Sequence, residues 1–167
     1  MEGPIEKLIT RKHDIVDNLS IVIVIFGATV VLLATIVLNF LSDYIAIIFG
    51  VVLFLCTKFV ISKNIEFEYS YFEGDLEIDK IINKKKRKRI ANVSVKDFEV
   101  FGAIKAFQQV RQKPEETFYC NSSPDAEESS FFITNYNAKR TAFFFEPNEP
   151  MIAEIIRRIP SKILKGE

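Results

Sequence analysis

The sequence has few of the residues from which enzymes build metal sites and nucleophilic sites. It contains one histidine, His13, and two cysteines, Cys56 and Cys120, which lie in separate segments. A histidine-rich metal site or a Ser–His or Cys–His pair therefore lacks its components outside the region around His13. Neither a disulfide framework nor a CxxC motif is indicated. The six glycines are scattered, so no phosphate-binding loop is present. We expect a protein that is not an enzyme and that has no cofactor or metal.

Charge is also scarce in one long stretch between Leu19 and Ile61, although the chain as a whole is 26% charged. Residues 19–38 and 44–61 are each apolar over about the length that crosses roughly 30 Å of hydrocarbon at about 1.5 Å per residue. The polar residues 39–43 between them predict a tight turn. A signal peptide is disfavoured because the apolar stretch starts late and continues into a second span. The prediction is a two-helix transmembrane hairpin over residues 19–61.

Basic residues predict the orientation of this hairpin. Lys7, Arg11 and Lys12 precede the first span, Lys58 and Lys63 close the second, and the connecting turn contains no lysine or arginine. By the positive-inside rule we expect a multi-pass protein of the cell membrane with both termini in the cytoplasm. Residues 1–18 are then a cytoplasmic juxtamembrane segment. The alternative, a buried hairpin of a soluble protein, is disfavoured because one apolar block would occupy too much of a small domain.

Small residues recur along both predicted spans at helical spacing. Such stripes allow two backbones to approach closely where lipid removes the hydrophobic drive for association. The ordinary frequency of glycine and alanine in membrane helices explains the same pattern, so both interpretations stay open. The candidate helix-packing residues are Ser20, Gly27, Ala34, Ala46, Gly50 and Thr57.

Residues 62–167 predict a separate cytoplasmic domain, because the apolar period changes to two. In IEFEYSY, residues 65–71, apolar and polar side chains alternate as in a strand with one buried face. EGD, residues 73–75, predicts a hairpin turn. Asn148 predicts the cap of a C-terminal helix that ends before Pro160. Further strands are predicted at residues 76–82, 87–95, 116–120, 130–136 and 140–146, and residues 97–112 fit a strand followed by a short helix.

Six or seven strands and one C-terminal helix predict an α+β fold in which a small antiparallel β-barrel or bent sandwich follows the transmembrane hairpin. The order of features, two spans, then FEYSYFEGDLEIDKIINKKKRKRI, then FFFEPNEPMIAEIIRRI, resembles a functionally uncharacterised family of small bacterial two-span membrane proteins. More loosely, it is similar to the bacterial pleckstrin-homology-like membrane domains. The resemblance covers nearly the whole chain. It implies a pleckstrin-homology-like cytoplasmic domain and a membrane location, and it implies no activity.

INKKKRKRI, residues 82–90, is the most concentrated charge in the chain. If the first two strands run away from the membrane and back, this turn returns to the level at which the chain leaves the bilayer. Each cation that lies close to an anionic leaflet contributes about 1 kcal/mol to the free energy of binding to it. Because side chains alternate along a strand, only part of the run can face the leaflet. A solvated turn without a ligand explains the run equally well. The candidate lipid-contact residues are Lys84, Lys85, Lys86, Arg87, Lys88 and Arg89.

Other partners for the basic run are disfavoured. Acidic residues such as Glu115, Glu127 and Glu128 offset it, and no exposed stacking motif accompanies it, so nucleic acid is not expected. A nuclear address makes little sense on a chain fixed in a membrane. Among the acids, Glu66 and Glu68 are predicted on the exposed face of their strand, and Glu77 and Asp79 are expected to pair with bases on a neighbouring strand.

These features predict a binding or scaffold module on the cytoplasmic face of the membrane, with integral contact to lipid. Contact of the basic run with anionic headgroups stays open beside a solvated turn. The alternative is an accessory subunit of a larger membrane complex for transport or envelope processing, which docks on an unknown membrane protein through the small-residue stripes. Self-association through Gly27 and Gly50 is a third hypothesis.

Overall fold

The computed structural model describes residues 3–12, 15–38, 44–123 and 126–164, and the chain divides into two compact units. The helical unit is Lys12–Asn64. The sheet unit combines Met1–Arg11 with Ile65–Glu167. The sheet unit is therefore discontinuous in sequence, because the helical unit is inserted after its first strand.

The helical unit consists of two apolar helices, α1 (Ile15–Leu38) and α2 (Ile45–Ser62). α1 contains Val16–Ala34, which has a mean hydropathy of 2.3 and no buried residue. Within the described residues, it is the one helix long and apolar enough by itself to cross a membrane, since the apolar part of α2 is the shorter Ile47–Ser62. The structure thus confirms the helices, but not the second span. The predicted turn at residues 39–43 lies outside the described residues.

An ion pair joins the two helices near their ends. The Asp17 carboxylate, in the first turn of α1, accepts a hydrogen bond from the Lys63 amine at 2.8 Å, one residue after α2 ends. Ser20 donates to the backbone oxygen of Asp17 at 2.7 Å. The beginning of α1 and the end of α2 consequently lie together.

The first sheet has four antiparallel strands in the order β1-β2-β3-β4. β1, from Ile5 to Thr10, pairs with β2 from Ile5↔Tyr71 to Thr10↔Glu66. The sequence prediction had assigned residues 1–18 to one juxtamembrane segment; Ile5–Thr10 instead belong to this sheet. β2, the strand with which they pair, follows both helices in the sequence. Local periodicity cannot detect a pairing over that distance. The other strands are β2 (Ile65–Phe72), β3 (Asp75–Ile82) and β4 (Lys86–Ser94).

The second sheet has five strands in the order β6-β8-β7-β5-β9. Two of its pairings, β6 with β8 and β5 with β9, are parallel, so the prediction of a wholly antiparallel fold is wrong in this sheet. The described strands form two separate sheets, and closure into one barrel is not seen among them. The strands are β5 (Phe98–Ala103), β6 (Glu116–Tyr119), β7 (Ser130–Tyr136), β8 (Lys139–Phe145) and β9 (Ile163–Leu164).

The main core lies on the inner faces of both sheets and is rich in aromatic residues. Phe98 stacks on Phe132 with ring centroids 4.1 Å apart. The buried Tyr69 hydroxyl donates to the backbone oxygen of Cys120 at 2.5 Å and accepts from the Glu146 amide at 3.3 Å. These bonds connect the first sheet to the second at the centre of the core.

Helix α3 (Glu149–Arg158) contributes Met151 and Ile155 to this core. The Asn148 side chain caps it by accepting from the Met151 amide at 3.1 Å, as the sequence predicts. A short 3-10 helix, Ile104–Gln109, follows β5 and packs on the other face of the second sheet. The predicted strand and short helix in residues 97–112 are thereby confirmed.

Candidate functional site

The basic run forms the tip and the returning strand of the β3–β4 hairpin. Asn83 and Lys84 have φ angles of 53° and 55°, and the Lys85 amide donates to the Ile82 oxygen at 3.2 Å. Two central residues with positive φ make the tight turn whose twist suits a hairpin. All six predicted lipid-contact residues, 84–89, are exposed.

Two arginines of the run are held in an ionic ladder across one face of the first sheet. Arg87 bonds the Glu68 carboxylate and lies 3.5 Å from an oxygen of Asp79. Arg89 donates to Asp79 at 2.9 Å and to Glu77 at 2.7 Å. The register explains the contacts, because Glu68 is opposite Asp79, and Asp79 is opposite Arg89. The predicted pairing of Glu77 and Asp79 with bases is confirmed.

The ionic ladder contributes to the stability of the fold, because its central carboxylate, Asp79, is buried. The hydrogen bond to Asp79 raises the pKa of the Arg89 guanidinium, so Arg89 stays charged. Asp79 is 5% exposed and Glu66 is 8% exposed, so the predicted exposed position of Glu66 is wrong. β4 is also an edge strand, where charged side chains protect unpaired backbone groups from pairing with another chain. Arg87 and Arg89 are therefore largely occupied within the fold.

The lysines of the run have no such partners. In the part of the chain that the structure describes, no carboxylate oxygen lies within 4.0 Å of the amines of Lys84, Lys85, Lys86 or Lys88. Lys80 belongs to the same group, because it lies on β3 directly opposite Lys88. It is half-buried, and in the described residues no carboxylate oxygen lies within 4.0 Å of its amine. Sequence reasoning missed Lys80, since its place depends on strand register. We call Lys80, Lys84, Lys85, Lys86 and Lys88 the lysine surface.

The lysine surface carries two local costs. Lys84 adopts the left-handed backbone conformation, which is unfavourable for a residue with a Cβ and which glycine would adopt freely. Lys80 and Lys88 place like charges opposite each other across two strands, an arrangement that destabilises a sheet. The β7–β8 turn carries the same backbone cost at Asn137 and Ala138, so this cost is not particular to the lysine surface.

The end of the sheet that bears the lysine turn is also the end from which the chain leaves for the helices. Ile65 pairs with Ile82, and Ile82 pairs with Lys86 at the turn. Thr10 pairs with Glu66, and the Arg11 amide donates to the Ile65 oxygen at 2.9 Å. Both peptide connections to the helical unit therefore depart beside the lysine turn.

The predicted helix-packing residues are largely exposed on α1 and α2. No heavy atom lies within 4 Å of a Cβ built on Gly27 or Gly50, so these two glycines do not bring α1 and α2 of one chain together. Ala34 is exposed, and Thr57 bonds the Leu53 oxygen of its own helix at 2.8 Å. The side chain of Ala46 lies outside the described residues. Packing of the stripes against another chain stays a prediction.

The remaining reactive groups do not form a cluster. Burial raises the pKa of the Cys120 thiol to about 12, although the charge of Lys80 opposes this shift. Cys56 lies in α2, and both cysteines are free. His13 lies outside the described residues. Within those residues, no three histidine, cysteine, aspartate or glutamate side chains are grouped to hold a metal ion.

Comparison with known proteins gives one match. Residues 1–165 match a family model described as Bacterial PH-like domain (DUF6106). The match includes β1, both helices and the two sheets. Neither a curated protein nor a solved structure matches the chain.

Proposed function

Because the chain belongs to this family of bacterial PH-like domains, whose fold suggests a binding or scaffold role, we propose that it is a non-enzymatic module held at the cytoplasmic face of the membrane. In this proposal α1 and α2 both cross the lipid, and the lysine surface contacts acidic headgroups. Among the described residues no carboxylate oxygen lies within 4.0 Å of the amines of the lysines at 84, 85, 86 and 88, and this observation carries the lipid contact.

Exposure of the apolar helices supports the membrane anchor. Large side chains such as Phe26, Ile36 and Phe54 are exposed along α1 and α2, and lipid would remove them from water. The 18 residues of α2 span about 27 Å, close to the hydrocarbon thickness. The Asp17–Lys63 pair neutralises two charges where the helices begin and end. Arg11, Lys12 and Lys63 flank these ends and favour a cytoplasmic location for them.

Chain connectivity supports the lipid contact of the lysine surface. Residues 11–14 and 63–64 connect the sheet unit to the two helices along the chain, and both segments leave from the end that bears the lysine turn. An anchor in the lipid would hold this end, rather than the opposite one, towards the headgroups. Each lysine that reaches an anionic surface contributes about 1 kcal/mol. That energy orients a domain whose attachment depends on the helices.

Amine footprinting of the reconstituted full chain tests this contact. The lysines are acylated with a water-soluble reagent in nanodiscs of phosphatidylcholine alone and in nanodiscs that also contain phosphatidylglycerol. We expect Lys84, Lys85 and Lys86 to be protected in the acidic lipid and exposed in the neutral one, and 0.5 M salt should remove the protection. The exposed Lys105, in the 3-10 helix after β5, and Lys113, in the segment before β6, should label equally in both.

A pair of charge-matched variants completes the test. Lys84→Gln with Lys86→Gln should reduce the protection of Lys85 and Lys88, because fewer charges hold the turn at the surface. Lys105→Gln with Lys113→Gln removes the same charge elsewhere and should leave the protection unchanged. Equal labelling of the lysine surface in neutral and acidic lipid would contradict the contact.

The exposed glycines favour a second candidate function, an accessory subunit of a larger membrane complex. Gly27 and Gly50 each leave open space beside a helix backbone, which suits close approach by another helix. Purification in mild detergent should then recover one stoichiometric membrane protein, and Gly27→Leu or Gly50→Leu should release it. Ile36→Leu, an exposed substitution on α1, should retain it. Recovery of the chain without a partner from native membranes would count against this role.

A further inference from the structure

A small crevice lies at the end of the first sheet opposite the lysine turn. The start of β1, the end of β2 and the last turns of α3 enclose it, with a volume of about 240 Å³. Ile5 pairs with Tyr71 there, whereas the lysine turn adjoins Ile65 at the other end of β2. This crevice is therefore separate from the lysine surface.

Tyr71 lines this crevice, and its buried hydroxyl has no hydrogen-bond partner among the described residues. Tyr71 is 4% exposed, and its oxygen is the one buried side-chain polar atom for which the described residues provide no partner. A buried hydroxyl that makes no hydrogen bond costs free energy, and most such groups in native proteins are satisfied. Burial raises the pKa of Tyr71, so the group remains a neutral donor at physiological pH.

The Arg158 guanidinium lies beside the same crevice. In the described residues no carboxylate oxygen lies within 4.0 Å of it. Gly74 makes its position available, because a Cβ at this residue would lie 2.6 Å from Nη1 of Arg158, and the glycine has a φ of 109°. Arg158 and Tyr71 line the same crevice, and the charge of Arg158 lowers the pKa of Tyr71 against the effect of burial. The Tyr71 oxygen can accept from the guanidinium, but no described residue accepts the proton of the hydroxyl.

The acidic residues at the crevice do not supply the missing acceptor. Glu154 accepts a hydrogen bond from Arg157 at 2.6 Å on the same helix, and Glu73 is exposed at the β2–β3 turn. No described residue therefore accepts from both Tyr71 and Arg158. Two adjacent donors without an acceptor fit a ligand oxygen that carries negative charge.

We propose that this crevice binds an oxyanion, a phosphate or a carboxylate group, to which the Tyr71 hydroxyl and the Arg158 guanidinium donate. Ile5 and the half-exposed Phe72 lie beside the site and would contact the apolar part of a larger ligand. The site does not depend on the lipid contact proposed above. The module would then meet lipid at one end of its first sheet and a soluble anion or a partner's carboxylate at the other.

A tryptophan reporter tests the site in the full chain. The sequence contains no tryptophan, so Phe72→Trp gives a single fluorophore beside the crevice. The protein is held in phosphatidylcholine nanodiscs and titrated with inorganic phosphate, or with acetate, at constant ionic strength. We expect a saturable fluorescence change with at least one of these ions. A response to phosphate alone assigns a phosphoryl ligand, and a response to acetate assigns a carboxylate.

Variants then assign the binding to the two donors. Tyr71→Phe and Arg158→Gln should each raise the dissociation constant by about tenfold or more, as expected for hydrogen bonds to a charged group. Arg158→Lys should restore part of the affinity. Arg111→Gln, which changes an exposed arginine in the segment before β6, should leave the constant unchanged.

Thermal unfolding of the chain without the reporter provides a second measurement. Saturating phosphate or acetate should raise its midpoint, because a ligand that binds only the folded state stabilises it. Tyr71→Phe should unfold at the wild-type midpoint or above in ligand-free buffer, since it removes an unsatisfied buried group. Absence of a saturable response to both ions, or wild-type affinity in Tyr71→Phe and Arg158→Gln, would overturn the proposal. Neither result would bear on the lipid contact, because neutral lipid is used throughout.

Discussion

Replacement of Asp79 by asparagine should destabilise the sheet unit more than the loss of any other single charge in it. The Asp79 side chain is 7% exposed, and its oxygens lie 2.9 Å from Nε of Arg89 and 3.5 Å from Nη1 of Arg87. Loss of one partner from a fully buried pair costs about 3–5 kcal/mol, and an exposed pair contributes about 1 kcal/mol or less. Because both arginines are about half exposed, we expect a loss of about 2 kcal/mol for Asp79→Asn.

Urea denaturation measures this loss. The full chain is unfolded in neutral nanodiscs, and the near-ultraviolet circular dichroism of its tyrosines reports the sheet unit, since four of the five lie in the first or second sheet. Glu116→Gln is the matched control, because Glu116 pairs with the exposed Lys139 at 3.4 Å and should cost about 0.5 kcal/mol or less. A denaturation midpoint for Asp79→Asn equal to that of wild type would refute the assignment of Arg87 and Arg89 to a structural ladder.

Three further predictions concern single residues in the sheet unit. The raised pKa of Cys120, about 12, means that the unfolded chain loses this proton first, so the free energy of unfolding should fall as pH rises from about 9 to 12. The slope that Cys120 contributes should approach about 1.4 kcal/mol per pH unit and should be missing from Cys120→Ala; equal slopes for wild type and Cys120→Ala would contradict it. Gly74→Ala should lower the free energy of unfolding by about 1–3 kcal/mol, because a residue with a Cβ is strained at a φ of 109°, whereas the end of the Arg158 side chain can move away; a wild-type urea midpoint would contradict this strain. Lys84→Gly should raise it by about 1 kcal/mol, since glycine removes the cost of the left-handed conformation, and lower stability in urea would contradict that cost.

Local periodicity was sufficient for most secondary structure. Alternation over residues 65–71 predicts β2 to within one residue, the aromatic-rich residues 130–136 predict β7, and the apolar runs predict α1 and α2. The cap at Asn148 fixes the start of α3. These elements could be predicted because neighbouring residues determine them.

Pairings over long sequence distance could not be predicted in this way. The apolar residues of IEKLIT, residues 5–10, do not alternate, and its partner β2 lies on the far side of two helices. The parallel pairing of β6 with β8 also depends on how the sheets fold, not on the composition of either strand. The discontinuous sheet unit therefore had to be seen in the structure.

The sequence alone predicted the basic run, but it could not predict which of its residues form the lysine surface. Sequence alone shows six consecutive cations, but strand register decides which of them meet carboxylates. An extra residue in β4, Ile90, shifts the register so that Asp79 faces Arg89. The same register brings Lys80 from β3 beside Lys88. The Tyr71–Arg158 crevice gave no sequence signal, because its two donors are separated by more than eighty residues.

Extraction of native membranes at alkaline pH tests the membrane anchor most directly. Sodium carbonate releases peripheral proteins, whereas a chain with two helices across the lipid stays in the sedimented membrane and dissolves only in detergent. We predict that the chain remains with the membrane pellet. Its recovery in the carbonate supernatant would contradict the anchor and, with it, the proposed contact between the lysine surface and the headgroups.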